Sequence, residues 1–328
     1  MRTPKFWHRS PGVCSTLLAP LGWLYARATA QRIKRMSTGF CAPCPVICVG
    51  NINAGGTGKT PTTIAIVSRI IERGRTPIVV SRGFGGTMPG PVLVDPNRHT
   101  ADQVGDEPLL IAAFCKVIVA NDRAAGAKLA IEQGADVIVL DDGFQSPAIQ
   151  HDLSIVVVNA RLGFGNGYCI PAGPLREPVP VGLQRADICL SIGPKSAQDH
   201  FASTWGPAIN IPRVEAKLVP LNTGMPWTGL KVFAFAGIAH PDKFFRTLSQ
   251  LGADVVGVEP LSDHEPLSST LLNRLLTKAE ALQAQLVCTE KDAARIPGNF
   301  LHNILVLPVR LQLQDWTQID TYLIDLGL

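Results

Sequence analysis

The run Asn51-Ile52-Asn53-Ala54-Gly55-Gly56-Thr57-Gly58-Lys59-Thr60 has the residue types that hold a nucleoside triphosphate. Glycines let successive backbone N–H groups turn inward on phosphate oxygens, and the start of a following helix adds partial positive charge. In such a loop Lys59 reaches the β- and γ-phosphates, and the Thr60 hydroxyl can hold Mg²⁺. The candidate nucleotide-binding residues are therefore Asn53, Ala54, Gly55, Gly56, Thr57, Gly58, Lys59 and Thr60. The strict pattern asks for glycine at 53, where this chain has Asn53; Gly55 and Gly56 supply the permissive backbone.

Val137-Ile138-Val139-Leu140 is a buried-strand pattern that ends in Asp141-Asp142. An apolar strand with a terminal carboxylate, about 80 residues beyond a phosphate loop, is the arrangement that completes Mg²⁺ binding. Successive side chains of an extended chain point to opposite faces, so the two acids are expected to serve different partners. Three further clusters could orient an acceptor hydroxyl. Gly105-Asp106-Glu107-Pro108 opens a helix, where the two acids could equally be simple caps. Pro171–Pro178 is a proline-bounded loop that presents Arg176 and Glu177, and Ser262-Asp263-His264-Glu265 lies between a strand and a helix. A guanine-reading Asn-Lys-x-Asp is absent, and Ala54 stands where a ParA-like loop places a second lysine. A switch ATPase at the membrane surface remains the alternative to a kinase.

The elements that must position these groups follow from periodicity. Strands near 46–50, 76–81, 116–120, 136–141 and 153–158 alternate with helices near 59–73, 106–114 and 122–133, which reads as a mostly parallel sheet. A proline-containing linker is expected over 213–231. A smaller α/β domain follows over 232–328, with strands at 232–236, 254–258, 285–289 and 304–309 and helices at 241–251, 268–284 and 314–326. The last helix closes that domain or returns to the core at 41–212. Of the 328 residues 46% are hydrophobic and 17% charged, so a large core is available and wholesale disorder is excluded. Eight cysteines in so long a chain are not a disulfide scaffold. Cys41, Cys44 and Cys48 lack a second pair at zinc spacing and read as reduced thiols.

Residues 1–40 form a basic head. No Asp or Glu precedes Glu72, and nine Lys or Arg fall within residues 1–71, leaving 21 basic against 26 acidic residues for the rest. Leu17, Leu18, Leu21, Leu24 and Tyr25 share one helical face, followed by Arg27, Arg32, Lys34 and Arg35. An apolar stripe with a basic cluster suits a helix lying on an anionic leaflet. Its rivals are packing of the stripe against the body, and a cleaved signal ending at Ala28-Thr29-Ala30, whose pattern Pro11, Pro20 and Arg27 interrupt.

The motifs as a set resemble the tetraacyldisaccharide 4′-kinase family of Gram-negative bacteria. Gly50–Thr60, Ser81-Arg82-Gly83-Phe84, Gly105–Pro108, Asp141-Asp142-Gly143-Phe144-Gln145, Leu175–Pro178, Asp263-His264 and Thr289-Glu290-Lys291-Asp292 occur in that family's order. The resemblance covers nearly the whole chain. It implies an α/β fold: a P-loop NTPase-type, mostly parallel sheet domain with a second, smaller α/β domain and an N-terminal membrane-surface helix, the site lying between the domains. It implies ATP-dependent phosphorylation, with Mg²⁺, of the 4′-hydroxyl of a tetra-acylated disaccharide 1-phosphate at the cytoplasmic face of the inner membrane. No nucleic acid and no obligate protein partner are implied.

By the same resemblance Asp106 is the base, helped by His264, and Thr60, Asp141, Asp142 and Glu177 stand by the metal. Arg82, Glu107, Arg123, Gln145 and Arg176 support or bind substrate. Because His264 lies in the second half of the chain, its pairing with Asp106 would require domain closure. Phe84 replaces the family's frequent tyrosine, and Glu265-Pro266 replaces the residue usual after Asp-His.

Overall fold

The computed structural model describes residues 4–34, 38–238, 240–263 and 265–328. Two sheets organise it. The larger is built from β1 (Val46–Gly50), β2 (Pro77–Ser81), β3 (Val92–Leu93), β4 (Lys116–Val119), β5 (Val137–Asp141), β6 (Leu153–Asn159), β7 (Ile188–Ile192) and β8 (Arg213–Pro220), joined by a late strand at Val309–Leu313. The smaller contains β9 (Lys231–Ala236), β10 (Asp254–Pro260), β11 (Gln285–Thr289) and β12 (Ile304–Leu307). With the late strand as β13, the orders are β13-β8-β7-β6-β1-β5-β2-β4-β3 and β10-β9-β11-β12. The ladders are parallel except β13 on β8 and β3 on β4.

The helices are α1 (Val13–Ile33), α2 (Lys59–Glu72), α3 (Ala101–Val104), α4 (Asp106–Ala112), α5 (Arg123–Glu132), α6 (Val179–Leu183), α7 (Lys195–Trp205), α8 (Pro241–Gln250), α9 (Ser269–Ala281), α10 (Glu290–Ala293), α11 (Gly298–Leu301) and α12 (Thr317–Asp325). Alternate residues of the central strands point to opposite faces, and both faces are covered. Ile47, Val49, Val79, Val139, Ile155 and Val157 pack with Ile64, Val67 and Ile70 of α2 and with Ile319 and Leu323 of α12. On the other side Cys48, Val80, Ile138, Leu140, Val156 and Val158 meet α5, α6 and Phe201 of α7. The small sheet repeats the plan, Phe233 and Phe235 packing on α9 and Val232, Ala234 and Ala236 on α8.

The expected strands and helices of both halves are present, with two differences. Residues 213–220, expected as linker, are strand β8, because Val214 and Ala216 alternate with Arg213, Glu215 and Lys217, and one face is buried. Pro212 and Pro220 only bound the strand, so the connection proper runs over residues 221–230. The chain then returns: β13 pairs with β8, Leu311 with Leu218, and α12 packs on α2, so 309–328 belongs to the first sheet. Asp320 ties α12 to Arg69 at 2.6 Å and Arg73 at 3.2 Å.

Helix α1 lies on the body with an unusual face inward. Its buried residues are Ser15, Gly22, Thr29 and Ile33, whereas Val13, Leu17, Leu21, Trp23 and Leu24 are exposed, Leu17 by 75%. A Cβ on Gly22 would sit 2.8 Å from the Cys169 carbonyl oxygen, so glycine allows the close approach. No helix among the described residues is long and apolar enough to cross a membrane.

Candidate active site

The loop from β1 to α2 is held open by its own side chains. Asn51 Nδ2 donates to Thr57 Oγ1 at 3.0 Å and to the Gly55 carbonyl. Gly58, at φ +101°, ends the loop in a left-handed turn, and a Cβ there would sit 2.6 Å from Ile192 Cδ1. The helix begins at Lys59, so its free N–H groups and partial positive charge face the loop. Asn53 explains the departure from the strict motif. It does not adopt a positive φ, so no glycine is needed, and its buried side chain donates to the Gly163 carbonyl at 3.1 Å. Next to it Ala54 N donates to Pro174 O and Arg176 N to Ile52 O, both at 2.7 Å. The phosphate loop is thus laced to residues 163–176, whose outer side carries the chain's N-terminal part through Trp7 Nε1 to Pro171 O and Asn166 Nδ2 to Ser15 Oγ.

Asp141 and Asp142 diverge. Asp141 ends β5 beside Val49 of β1 and accepts from Ser81 Oγ at 3.1 Å and Thr63 Oγ1 at 3.3 Å. Burial first, then the charges of Glu107 and Asp142, push its carboxyl well above the usual carboxylate range. Asp142 turns away in a left-handed backbone, φ +55°, and faces Lys59 at 3.7 Å and Arg176 at 3.0 Å. Burial alone would raise it, but Lys59, Arg176 and Arg123 outweigh that and hold it below the ordinary value. Buried Arg123 also holds the Asp142 carbonyl at 2.7 Å. A buried acid short of counter-charge, next in sequence to the Asp142 that faces Lys59, fits Mg²⁺, which takes one or two carboxylates and otherwise phosphate oxygens and water.

Glu177 is as deeply buried as Asp141 and differs from it in having a guanidinium partner. It is 1% exposed, and both its oxygens accept from Arg185 Nη2, at 2.7 and 2.6 Å. Gln145 Nε2 reaches the same carboxylate at 2.9 Å and the Asn51 carbonyl at 2.7 Å, while its oxygen accepts from Arg176. Arg176, Gln145, Glu177 and Arg185 thus form a partly buried brace behind the phosphate loop. Arg82 stands exposed just beyond β2, with Phe84 also exposed.

Asp106 is the first residue of α4 and is 4% exposed. The second domain comes to meet it: Lys291 Nζ lies 3.7 Å from Asp106, 3.6 Å from Glu107 and 3.7 Å from Asp263, and Arg295 Nε lies 3.9 Å from Asp106. A cavity of about 500 Å³ opens between the domains, lined by Gly56–Thr60, Glu107, Asp263 and Lys291, with apolar walls from Ile192, Leu311 and Trp316. His264 lies outside the described residues. Lys291, Arg295 and Arg185 carry no role in the sequence reading. Lys291 and its Thr-Glu-Lys-Asp run were the available signal.

Fold and loop together define a P-loop, kinase-like α/β protein. The family model described as tetraacyldisaccharide-1-P 4′-kinase matches residues 14–326. A tetraacyldisaccharide 4′-kinase of Jannaschia sp. is 55% identical over 98% of this chain and 98% of its own length. One from Dinoroseobacter shibae is 56% identical over 98% and 97%. The chain belongs to this family, the kinases of lipid A biosynthesis. The fold is also that of LpxK from Aquifex aeolicus, solved in an "apo" form in complex with ATP, with TM-score 0.77, 23% identity and coverage of 96% and 99%.

Proposed function

We propose that the chain carries out the reaction for which its family is named: transfer of the γ-phosphoryl group of ATP to the 4′-hydroxyl of a tetra-acylated disaccharide 1-phosphate. The observation that carries this reading is one cleft lined by the phosphate loop, Glu107 and Lys291, with Asp106 3.7 Å from the Lys291 ammonium. The backbone N–H groups of Gly55–Thr60 and Lys59 would cradle the phosphates, and Lys59 would leave Asp142 for the γ-phosphate. Asp141, Asp142 and Thr60 would hold Mg²⁺, which when bound offsets charge on the transferring group. Glu177 fits better as the brace that fixes Gln145 and Arg176.

A sugar hydroxyl is not ionised in the ground state. Asp106 would take its proton as the new oxygen–phosphorus bond forms and the bond to ADP breaks, with His264 assisting. A fatty-acylated acceptor stays in its bilayer, so the enzyme must work at the surface. The exposed Val13, Leu17, Leu21 and Leu24 stripe, with Arg27 over the Trp23 ring at 5.4 Å, supplies an apolar face and cations for an anionic leaflet. These features support a peripheral position on the cytoplasmic side of the inner membrane, where ATP is available.

The test is transfer from labelled ATP with Mg²⁺ to the tetra-acylated disaccharide 1-phosphate in mixed micelles, beside a no-acceptor control and Asp106→Ala. Labelled bisphosphorylated lipid that disappears in the variant is the expected result. ATP consumption indifferent to the acceptor would replace the kinase reading with a surface-stimulated ATPase.

A further inference from the structure

The four residues Thr289-Glu290-Lys291-Asp292 divide their work. Thr289 caps α10 by accepting from Asp292 N at 3.2 Å. Asp292 is fully buried, takes the Gly237 N–H at 3.0 Å and pairs with Arg295, which fixes the helix to its own domain. Glu290 reaches the other way, accepting from Val309 N at 3.1 Å and pairing with Arg310 at 2.7 Å on the returning strand β13 of the first sheet. A helix pinned on both sides holds the residue between those anchors at a set position. That residue, Lys291, points at the cleft.

Lys291 meets two carboxylates of the first domain and one of the second at nearly equal distances of 3.6–3.7 Å. With the three carboxylates at nearly equal distances, the ammonium is shared among them. Lys59 stands to Asp142 in the same way, at 3.7 Å, across the same cavity. A compact ammonium on a flexible stem suits such a shared post better than a planar guanidinium, which prefers one carboxylate in bidentate geometry. Asp106 is nearly buried, and two cations of the other domain face it, Lys291 at 3.7 Å and Arg295 at 3.9 Å.

We infer that Lys291 is a positioning residue for the phosphoryl transfer: the second domain uses it to hold Asp106 in the orientation that accepts the hydroxyl proton. The inference rests on the reading of Asp106 as base. Domain approach and base placement are then coupled, because Lys291 reaches Asp106 from the second domain. Interactions needed only at the transfer step lower kcat on removal, whereas uniform substrate binding shows in KM.

The experiment compares steady-state kinetics of Lys291→Met, Lys291→Arg, Asp106→Asn and the double variant Asp106→Asn/Lys291→Met, with ATP and the micellar acceptor. Lys291→Met is expected to lose ~10–100-fold in kcat with KM for ATP within about threefold of the parent, and with the unfolding midpoint unchanged. Lys291→Arg recovers part of that loss, and the double variant is no slower than Asp106→Asn alone, because both changes remove one function. Wild-type kcat in Lys291→Met, or a loss seen wholly in KM, overturns the inference. So does a double variant slower than Asp106→Asn by the full single-site factor. Robust turnover by Asp106→Asn overturns the base reading itself, a result distinct from a normal Lys291→Met beside a dead Asp106→Asn.

Discussion

Two helices flank the phosphate loop and use their apolar residues in opposite ways. In α2, Ile64, Ile66, Val67 and Ile70 are buried against the sheet, and the helix start faces the cleft. In α1, Leu17, Leu21 and Leu24 face outward, and the inward residues are Ser15, Gly22, Thr29 and, at the C-terminal end, Ile33. A helix that buries small and polar groups gains little from the hydrophobic effect against its own protein. Its attachment comes instead from close backbone approach and hydrogen bonds, as at Gly22 and Asn166–Ser15. Apolar surface thus holds α2 in the fold, while on α1 it stays exposed.

The contrast can be broken by substitution. Lys59→Ala, at the chemical end of α2, should cost at least ~10²-fold in kcat without moving the unfolding midpoint, measured by transfer from labelled ATP. Ile70→Ala should cost about 2–5 kcal/mol in denaturant unfolding, the ordinary effect of emptying a packed core site. The matched change on α1, Leu21→Ala, should stay within about 0.5 kcal/mol. If it destabilises like Ile70→Ala, the stripe is core after all and the comparison fails. Leu17→Glu/Leu21→Glu should leave stability alone yet lower co-sedimentation with anionic vesicles ~10-fold or more; retained vesicle binding would count against the lipid-facing reading.

The smallest effect concerns the seat of α2 on α12. The hydrogen bond from Arg69, then the Arg69 and Arg73 charges, hold Asp320 below the usual carboxylate range. Its contribution is therefore present above the unfolded value near pH ~4 and is lost as pH falls through the lower folded value. Partial exposure limits it to about 0.5–1 kcal/mol. Asp320→Asn should flatten that part of the stability profile between pH 5 and 3 in thermal unfolding and lower stability at pH 7–8 by the same amount, about 0.5–1 kcal/mol.

Much of this was legible in the chain because local pattern and tertiary role agree. Ile64, Val67, Ile70 and Ile71 announce α2, and the glycines before it announce the loop. Strand β5 ending in Asp141 could be read for the same reason. The failures have physical causes. Prolines at both ends disguised β8, although its interior alternates as a half-buried strand should. The five residues of β7, Ile188–Ile192, are too short a run to separate from a buried helix segment. The inward burial of Glu177 depends on Arg185, eight residues away and turned back by α6. The stripe on α1 was visible, but its outward direction was set by Gly22 against Cys169, a contact between distant parts of the chain.

The lacing of Asn53 to Gly163 and of Ala54 to Pro174 bears on how the protein can be handled at the bench. Residues 163–176 serve as a shim between α1 and the phosphate loop, so trimming away α1 to gain solubility would strip the shim of its outer support and slacken the loop. Repainting the outer stripe with polar residues, while keeping Ser15, Gly22 and Thr29, is the change that leaves the loop's geometry in place.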